Sequence, residues 1–152
     1  MSQPTDMTSA LMTLAAFVAP SVPEKWVDAV EIIESGGRGA NTPPGDMGCA
    51  IGPFQFWKRA WEDTTILRQG MKAQTYPYWR ANEPAIARIY AKTWMSHLMM
   101  RLTNKLHRTP TAGETWLAYN MGMTGFGLYD YDINKVPKHK RVKAQAINAA
   151  VK

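Results

Sequence analysis

Two carboxylates in the first third of the chain, Glu34 and Asp46, have the type and spacing for acid–base chemistry. Glu34 closes an apolar segment and is followed by Ser35-Gly36-Gly37, whereas Asp46 lies in a stretch rich in Gly and Pro. A carboxyl on a rigid helix end, facing a second one on a loop, is the layout that cleaves a glycosidic bond. The departing oxygen needs a proton, and a carboxylic acid supplies one near neutral pH only if apolar surroundings raise its pKa. From position alone, Glu34 reads as a solvated helix-end charge, because most glutamates are surface residues. The helix dipole mildly disfavours a carboxylate in a last turn, so local electrostatics gives no reason for it. Asp46 has an ordinary reading too, since Pro44-Gly45-Asp46 suits a turn without any catalysis. If Asp46 positions a water, the two carboxyls should stand about 6.5–9.5 Å apart.

The elements that must hold these residues follow from patterning. Ser21-Val22-Pro23-Glu24 is a capping-box pattern and opens a helix with Trp26, Val27, Ala29, Val30 and Ile33 on one face. Gly36-Gly37 stops that helix. Residues 36–53 read as a long loop, a candidate for short hairpin structure although no clean alternation is visible. Phe54 to Thr64 reads as a helix on the spacing of Trp57, Ala60 and Trp61, and residues 65–82 are ambiguous. The clearest helix runs from Pro84 to about Leu106, with Ile86, Ile89, Tyr90, Trp94, Leu98 and Leu102 as its core stripe. Thr111-Ala112-Gly113-Glu114 is a second capping box, opening a helix through Trp116 and Tyr119 that ends near Gly122. Residues 135–152 read as a basic terminal helix or tail. There is no internal repeat.

The 152 residues imply one domain: an arm at 1–20, a main body at 21–134 and the basic segment at 135–152. The single cysteine, Cys49, excludes an internal disulfide, and with only three His a structural zinc site is not expected. Cys49 reads as a small buried residue rather than a nucleophile. The apolar run Ala10 to Ala19 has no basic leader and is too short to span a bilayer, so it makes a poor secretory signal. A net charge of +6 favours an anionic partner: nucleic acid, anionic lipid, lipopolysaccharide or bacterial wall. The run Lys135 to Lys143 is either a solvated end or a tether to an anionic envelope surface, with nucleic acid as the competing target.

Three blocks occur in order: Glu34-Ser35-Gly36, then Gly52-Pro53-Phe54-Gln55-Phe56, then Ala118-Tyr119-Asn120-Met121-Gly122. With these blocks the chain resembles the lysozyme-like superfamily: Slt-type lytic transglycosylases, goose-type lysozymes and invertebrate-type lysozymes. The resemblance covers roughly residues 21–130 and implies a mainly α (α+β), lysozyme-like fold with a small loop or β region beside the cleft. It implies that Glu34 is the catalytic acid. Ser35, Phe54, Gln55, Tyr119 and Asn120 then line the glycan cleft or orient the acid. Gly45-Asp46-Met47-Gly48 matches the goose-type Gly-Asp-x-Gly, so Asp46 looks like that family's second carboxylate. Many Slt-type enzymes lack it and expel the sugar by attack of its own 6-hydroxyl. The block around Gln55 is nearest the invertebrate type, yet that scaffold is rich in disulfides and this chain has one Cys.

The resemblance implies cleavage of the β-1,4 bond between N-acetylmuramic acid and N-acetylglucosamine in bacterial peptidoglycan, with no metal or cofactor. Its setting would be the bacterial periplasm or cell wall, and its origin bacterial or bacteriophage. The aromatics Trp57, Trp61, Tyr76, Tyr78 and Trp79 could line sugar subsites, although most such rings belong to cores. One rival is a non-catalytic glycan-binding or structural component of a virion or secretion apparatus on the same scaffold. A basic helical nucleic-acid binder is a further rival, but it gives no reason for the three ordered blocks.

Overall fold

The apolar stripes place α-helices at Glu24–Ser35 (α1), Lys58–Gly70 (α2), Pro84–Leu106 (α3), Ala112–Gly127 (α4) and Lys138–Ala150 (α5). The structure, a computed structural model, describes residues 20–152. The expected N-terminal arm lies outside the described residues, apart from Pro20. Among the described residues the fold is mainly helical, with one two-stranded antiparallel sheet. Its strands are Ala50–Ile51 (β1) and Phe56–Trp57 (β2), in register Ala50 to Trp57 and Ile51 to Phe56.

A single buried cluster runs through all of these helices. At its centre Trp61 of α2 stacks on Tyr90 of α3, with ring centroids 3.7 Å apart. Both rings are almost completely buried. The Trp61 indole N–H reaches the Tyr76 carbonyl at 2.8 Å, so the polar handle of this large ring is satisfied. α3 is flanked by α2 and α4, and its Ala87, Ala91, Met95 and Met99 share the burial with Tyr90, Leu98 and Leu102. Of the expected stripe, Ile89 is exposed instead. The small Ala87 and Ala91 take the inward positions because they let neighbouring elements close on the helix.

α1 begins at Glu24 without the expected capping box. Pro23 stands at the N-cap and no side chain caps the helix. The reason is tertiary. Glu24 is drawn across to Arg88 and Lys92 on α3, and the Val22 N–H goes to Ser96 Oγ at 3.0 Å. Arg88 also pairs with Asp28 at 2.8 Å, so α1 is tied to α3 along its outer side. The helix ends as expected: Gly36 takes a left-handed φ of 62° and its N–H closes on the Ile32 carbonyl.

The expected helix from Phe54 to Thr64 is corrected. Gly52 to Gln55 is a tight turn closed by the Gln55 N–H on the Gly52 carbonyl at 2.9 Å, Phe56–Trp57 is β2, and the helix starts only at Lys58. Phe54 and Phe56 both enter the core, a period of two that competes with the helical spacing of the tryptophans. Gln55 between them has φ 49°, which no helix accommodates. Gly52 has φ 75°, and a Cβ there would lie 1.7 Å from the Ala81 carbonyl oxygen. Only glycine fits this close approach.

The second capping box forms as expected. Glu114 N–H donates to Thr111 Oγ1 at 3.1 Å, and the Glu114 carboxylate accepts from the Thr111 N–H at 3.0 Å. Burial pushes the Glu114 carboxyl up, but Arg108 at 2.8 Å and the two Thr111 bonds outweigh it, and the net shift is downward. α4 breaks at Gly122, where φ is 74° and ψ 160°, and resumes to Gly127. The basic segment is not a free end. It forms α5, which buries Ala144 and Ile147 against the core and packs on α4 and α1.

Candidate active site

Helical spacing decides where Glu34 points. Val27, Val30 and Glu34 stand at i, i+3 and i+7, so Glu34 extends the stripe that carries the two fully buried valines. The residue is half-buried, and its Oε1 accepts a 2.7 Å hydrogen bond from the Trp116 indole N–H of α4. Burial raises the carboxyl above its ordinary value. Trp116, Lys143, Asn120 and Lys140 act in the opposite sense without cancelling the rise. An acid of this kind holds its proton into a higher pH range than a solvated glutamate does.

The facing side is built by α4. Trp116, Tyr119 and Asn120 stand at i, i+3 and i+4, so they share one face. Trp116 is buried. Tyr119 donates its phenol O–H to the Phe54 carbonyl at 2.8 Å. Burial pushes its pKa far up, and the nearby Glu34 charge adds to this. Tyr119 therefore stays a neutral donor that ties α4 to the turn at Phe54. Asn120 is exposed beside Glu34, and its Oδ1 accepts from the Lys140 ammonium of α5. The structure thus brings Glu34, Tyr119 and Asn120 together, and adds Trp116, Lys140 and Lys143. Trp116 was legible in principle, one helical turn before Asn120. The two lysines were not, because the sequence does not say where a basic terminal helix docks.

Asp46 is held differently. It and Met47 both adopt left-handed backbone, with φ 47° and 56°. Asp46 is exposed and accepts from the Trp57 indole N–H at 3.2 Å. Among the described residues no hydrogen bond joins it to Glu34, and its charge is not among the causes of the Glu34 shift.

Gln55 uses its amide on the loop. Nε2 donates to the Gly52 carbonyl at 2.9 Å and the Pro43 carbonyl at 3.3 Å, and a Cβ on Gly45 would lie 2.2 Å from Oε1. It is a staple across residues 43–55. Two expected substrate contacts are corrected. Ser35 is fully buried, and its hydroxyl donates to the Glu31 carbonyl at 2.6 Å and accepts from the Gly37 N–H at 3.1 Å. It closes the helix end that presents Glu34. The Phe54 ring is also fully buried, so only its carbonyl serves the site, through Tyr119. Cys49, expected buried, is exposed, because it follows the Asp46–Gly48 turn on the outer side of the loop.

Of the five aromatics singled out, Trp61 is core, and Tyr76 and Tyr78 are partly buried. Tyr78 O–H donates to the Phe56 carbonyl at 2.7 Å and so braces the hairpin. Trp57 and Trp79 are exposed, at 49% and 65%. Two open grooves, of about 260 and 430 Å³, lie along α2, and Glu34 lines neither. Among the described residues no group of three His, Cys, Asp or Glu side chains is placed to hold a metal ion. No helix there is long and apolar enough to cross a membrane. No protein-family model, curated protein or solved structure matches the chain.

Proposed function

We propose that the chain is a peptidoglycan glycosidase of lysozyme-like type, cleaving the β-1,4 bond between N-acetylmuramic acid and N-acetylglucosamine. The observation that carries the reading is the environment of Glu34: a carboxyl on a buried helix face, its pKa raised by burial, fixed by the Trp116 indole. In this reading Glu34 protonates the glycosidic oxygen as the bond breaks. The resulting carboxylate accepts the Trp116 hydrogen bond and then takes a proton from the incoming nucleophile. A water gives a reducing end, and the sugar's own 6-hydroxyl gives a 1,6-anhydro product. Trp116 and Asn120 hold the acid by side-chain hydrogen bonds, and Tyr119 braces α4 against the turn at Phe54. The ordered blocks at Glu34, Gln55 and Tyr119-Asn120 support the choice of substrate, and a bacterial wall is its natural setting.

Replacing Glu34 by Gln keeps the size and an acceptor for Trp116 but removes the proton. Turbidity clearing of purified walls should fall about a thousandfold while the circular dichroism spectrum is unchanged. Full clearing by that variant would end the proposal. Mass spectrometry of the released fragments then separates the two products.

One observation favours a second reading. Trp57 and Trp79 expose large ring faces, which can hold a glycan without any chemistry. A non-catalytic glycan-binding component of a virion or secretion apparatus would bind walls and leave their turbidity unchanged.

A further inference from the structure

Two contacts set the register of α5 on α4. At one, the Gly113 N–H donates to Asn148 Oδ1 at 2.7 Å, and a Cβ on Gly113 would lie 2.4 Å from the Ala144 carbonyl oxygen. About two turns away on both helices, the Lys140 ammonium donates to Asn120 Oδ1. The two contacts run in opposite chain directions, so the helices pack antiparallel. Gly113, Trp116 and Asn120 stand at i, i+3 and i+7 on α4, and Lys140, Ala144 and Ile147 at i, i+4 and i+7 on α5. Lys140 therefore extends the buried stripe of α5, as Glu34 extends that of α1, and it is half-buried where Lys143 is exposed. The close seat at Gly113 fixes how far α5 can slide, and so holds the ammonium against Asn120.

An ammonium only donates, so it faces the oxygen of an amide and never the nitrogen. With Oδ1 taken by Lys140, the NH2 is the end of Asn120 left for Glu34, to which its side chain is hydrogen-bonded. An amide free to turn over would instead accept from the protonated Glu34 and favour the opposite state of the acid. We propose that Lys140 is a positioning residue that holds the Asn120 amide with its N–H on Glu34, so that α5 decides which form of the acid α4 supports. The bond supports the carboxylate, the form that takes a proton from the incoming nucleophile, and so opposes the burial that keeps Glu34 protonated. The catalytic meaning of this relay rests on the glycosidase reading, whereas the relay itself rests on the hydrogen bonds. The other groups facing Glu34 are the Trp116 indole and the Tyr119 phenol of α4 and the Lys143 charge of α5. Arg88 of α3 pairs with Glu24, Asp28 and Glu31 of α1.

Carbon-13 NMR titration of the Glu34 carboxyl in the full chain tests the relay without turnover. Lys140→Met should raise the Glu34 pKa, because both the lysine charge and the fixed Asn120 donor are lost. In an Asn120→Ala background only the charge remains to be lost, so the same substitution should shift the titration about half as much or less. Among the described residues Lys143 has no bond to Asn120, so Lys143→Met should give equal shifts in both backgrounds. In the wild type the Asn120 side-chain NH2 resonances should follow the Glu34 titration, and in Lys140→Met they should lose most of that response. Equal shifts by Lys140→Met in both backgrounds would reduce Lys140 to a through-space charge and overturn the relay. So would an unchanged NH2 response in Lys140→Met, or a dependence on Asn120 as large for Lys143→Met. Wall clearing reports separately, and the basic limb of its pH profile should move with the titration. A relay in the titration without clearing sinks the glycosidase and keeps the relay, and clearing with equal shifts does the reverse.

Discussion

The two carboxylates that open the case for chemistry live in opposite surroundings. Glu34 is the last inward position of a helix stripe, bonded to a buried indole and flanked by α4 and α5. Asp46 sits on a left-handed turn in solvent, bonded to a half-exposed indole. Each accepts from a tryptophan N–H, and at Glu34 desolvation and not the hydrogen bond sets the direction of the shift, which is upward. The surroundings of Glu34 thus favour its protonated form. The other region, from Gly45 to Trp57, is stapled by Gln55, Tyr78 and the Gly52 approach to Ala81.

If that contrast is right, loss of Glu34 should dominate. After the thousandfold effect of Glu34→Gln comes Trp116→Phe, which keeps most of the ring and deletes the N–H. Wall clearing should fall roughly ten- to a hundredfold, since the acid loses its positioning donor. Removing a bond to the charged form also raises the pKa further, so the basic limb of the pH profile should move to higher pH. A variant with wild-type rate and profile would show that Trp116 does nothing for the acid.

The stapled loop is most easily broken at Gly52→Ala. The positive φ and the clash with the Ala81 carbonyl together should cost roughly 2–3 kcal/mol or more, read from chemical denaturation. A loss under about 0.5 kcal/mol would show that the turn can shift, and with it the Gln55 staple. Asp46→Asn sharpens the contrast directly. Clearing should stay within about threefold of wild type, because an exposed turn aspartate does little proton chemistry. A hundredfold loss would put water activation on Asp46 and make the two regions partners.

The smallest effect is on stability. A carboxyl whose folded pKa lies above its unfolded value near 4.5 binds more protons in the native state. Its contribution to stability is present below the unfolded pKa and is lost as pH rises through the folded one. Glu34→Gln removes that loss, so its Tm should exceed wild type by about 1–3 °C at pH 7 and match it near pH 4. Glu114 runs the other way: its lowered pKa stabilises above the unfolded value and the benefit fades as acid protonates it. Equal Tm values for the two proteins at both pH values would show that burying Glu34 costs nothing.

Much of this was legible in one dimension. Patterning and glycines gave α3 to the residue, the end of α1 at Gly36, the capping box at Thr111 and the break at Gly122. These are signals a chain carries locally, because a stripe, a cap or a left-handed glycine acts within a few residues. Position alone reads Glu34 as a solvated helix-end charge, and its phase against Val27 and Val30 turns it inward instead. Local signals misled where distant partners competed for the same groups. Glu24 left its cap for Arg88 and Lys92, and Phe54 and Phe56 chose the core over a helix.

Only tertiary structure set the Trp116 bond, which joins residues 82 positions apart. Only it brought Lys140 and Lys143 beside the acid, and turned Ser35 and Phe54 from expected ligand contacts into supports. The sequence determines which helices form and which face of each is apolar, since propensity and periodicity are properties of neighbours. How those faces dock, and therefore which polar groups lose their water and which charges meet, depends on packing between segments far apart in the chain. The raised pKa of Glu34 belongs to that second kind of property, because desolvation is a collective effect of everything that surrounds it.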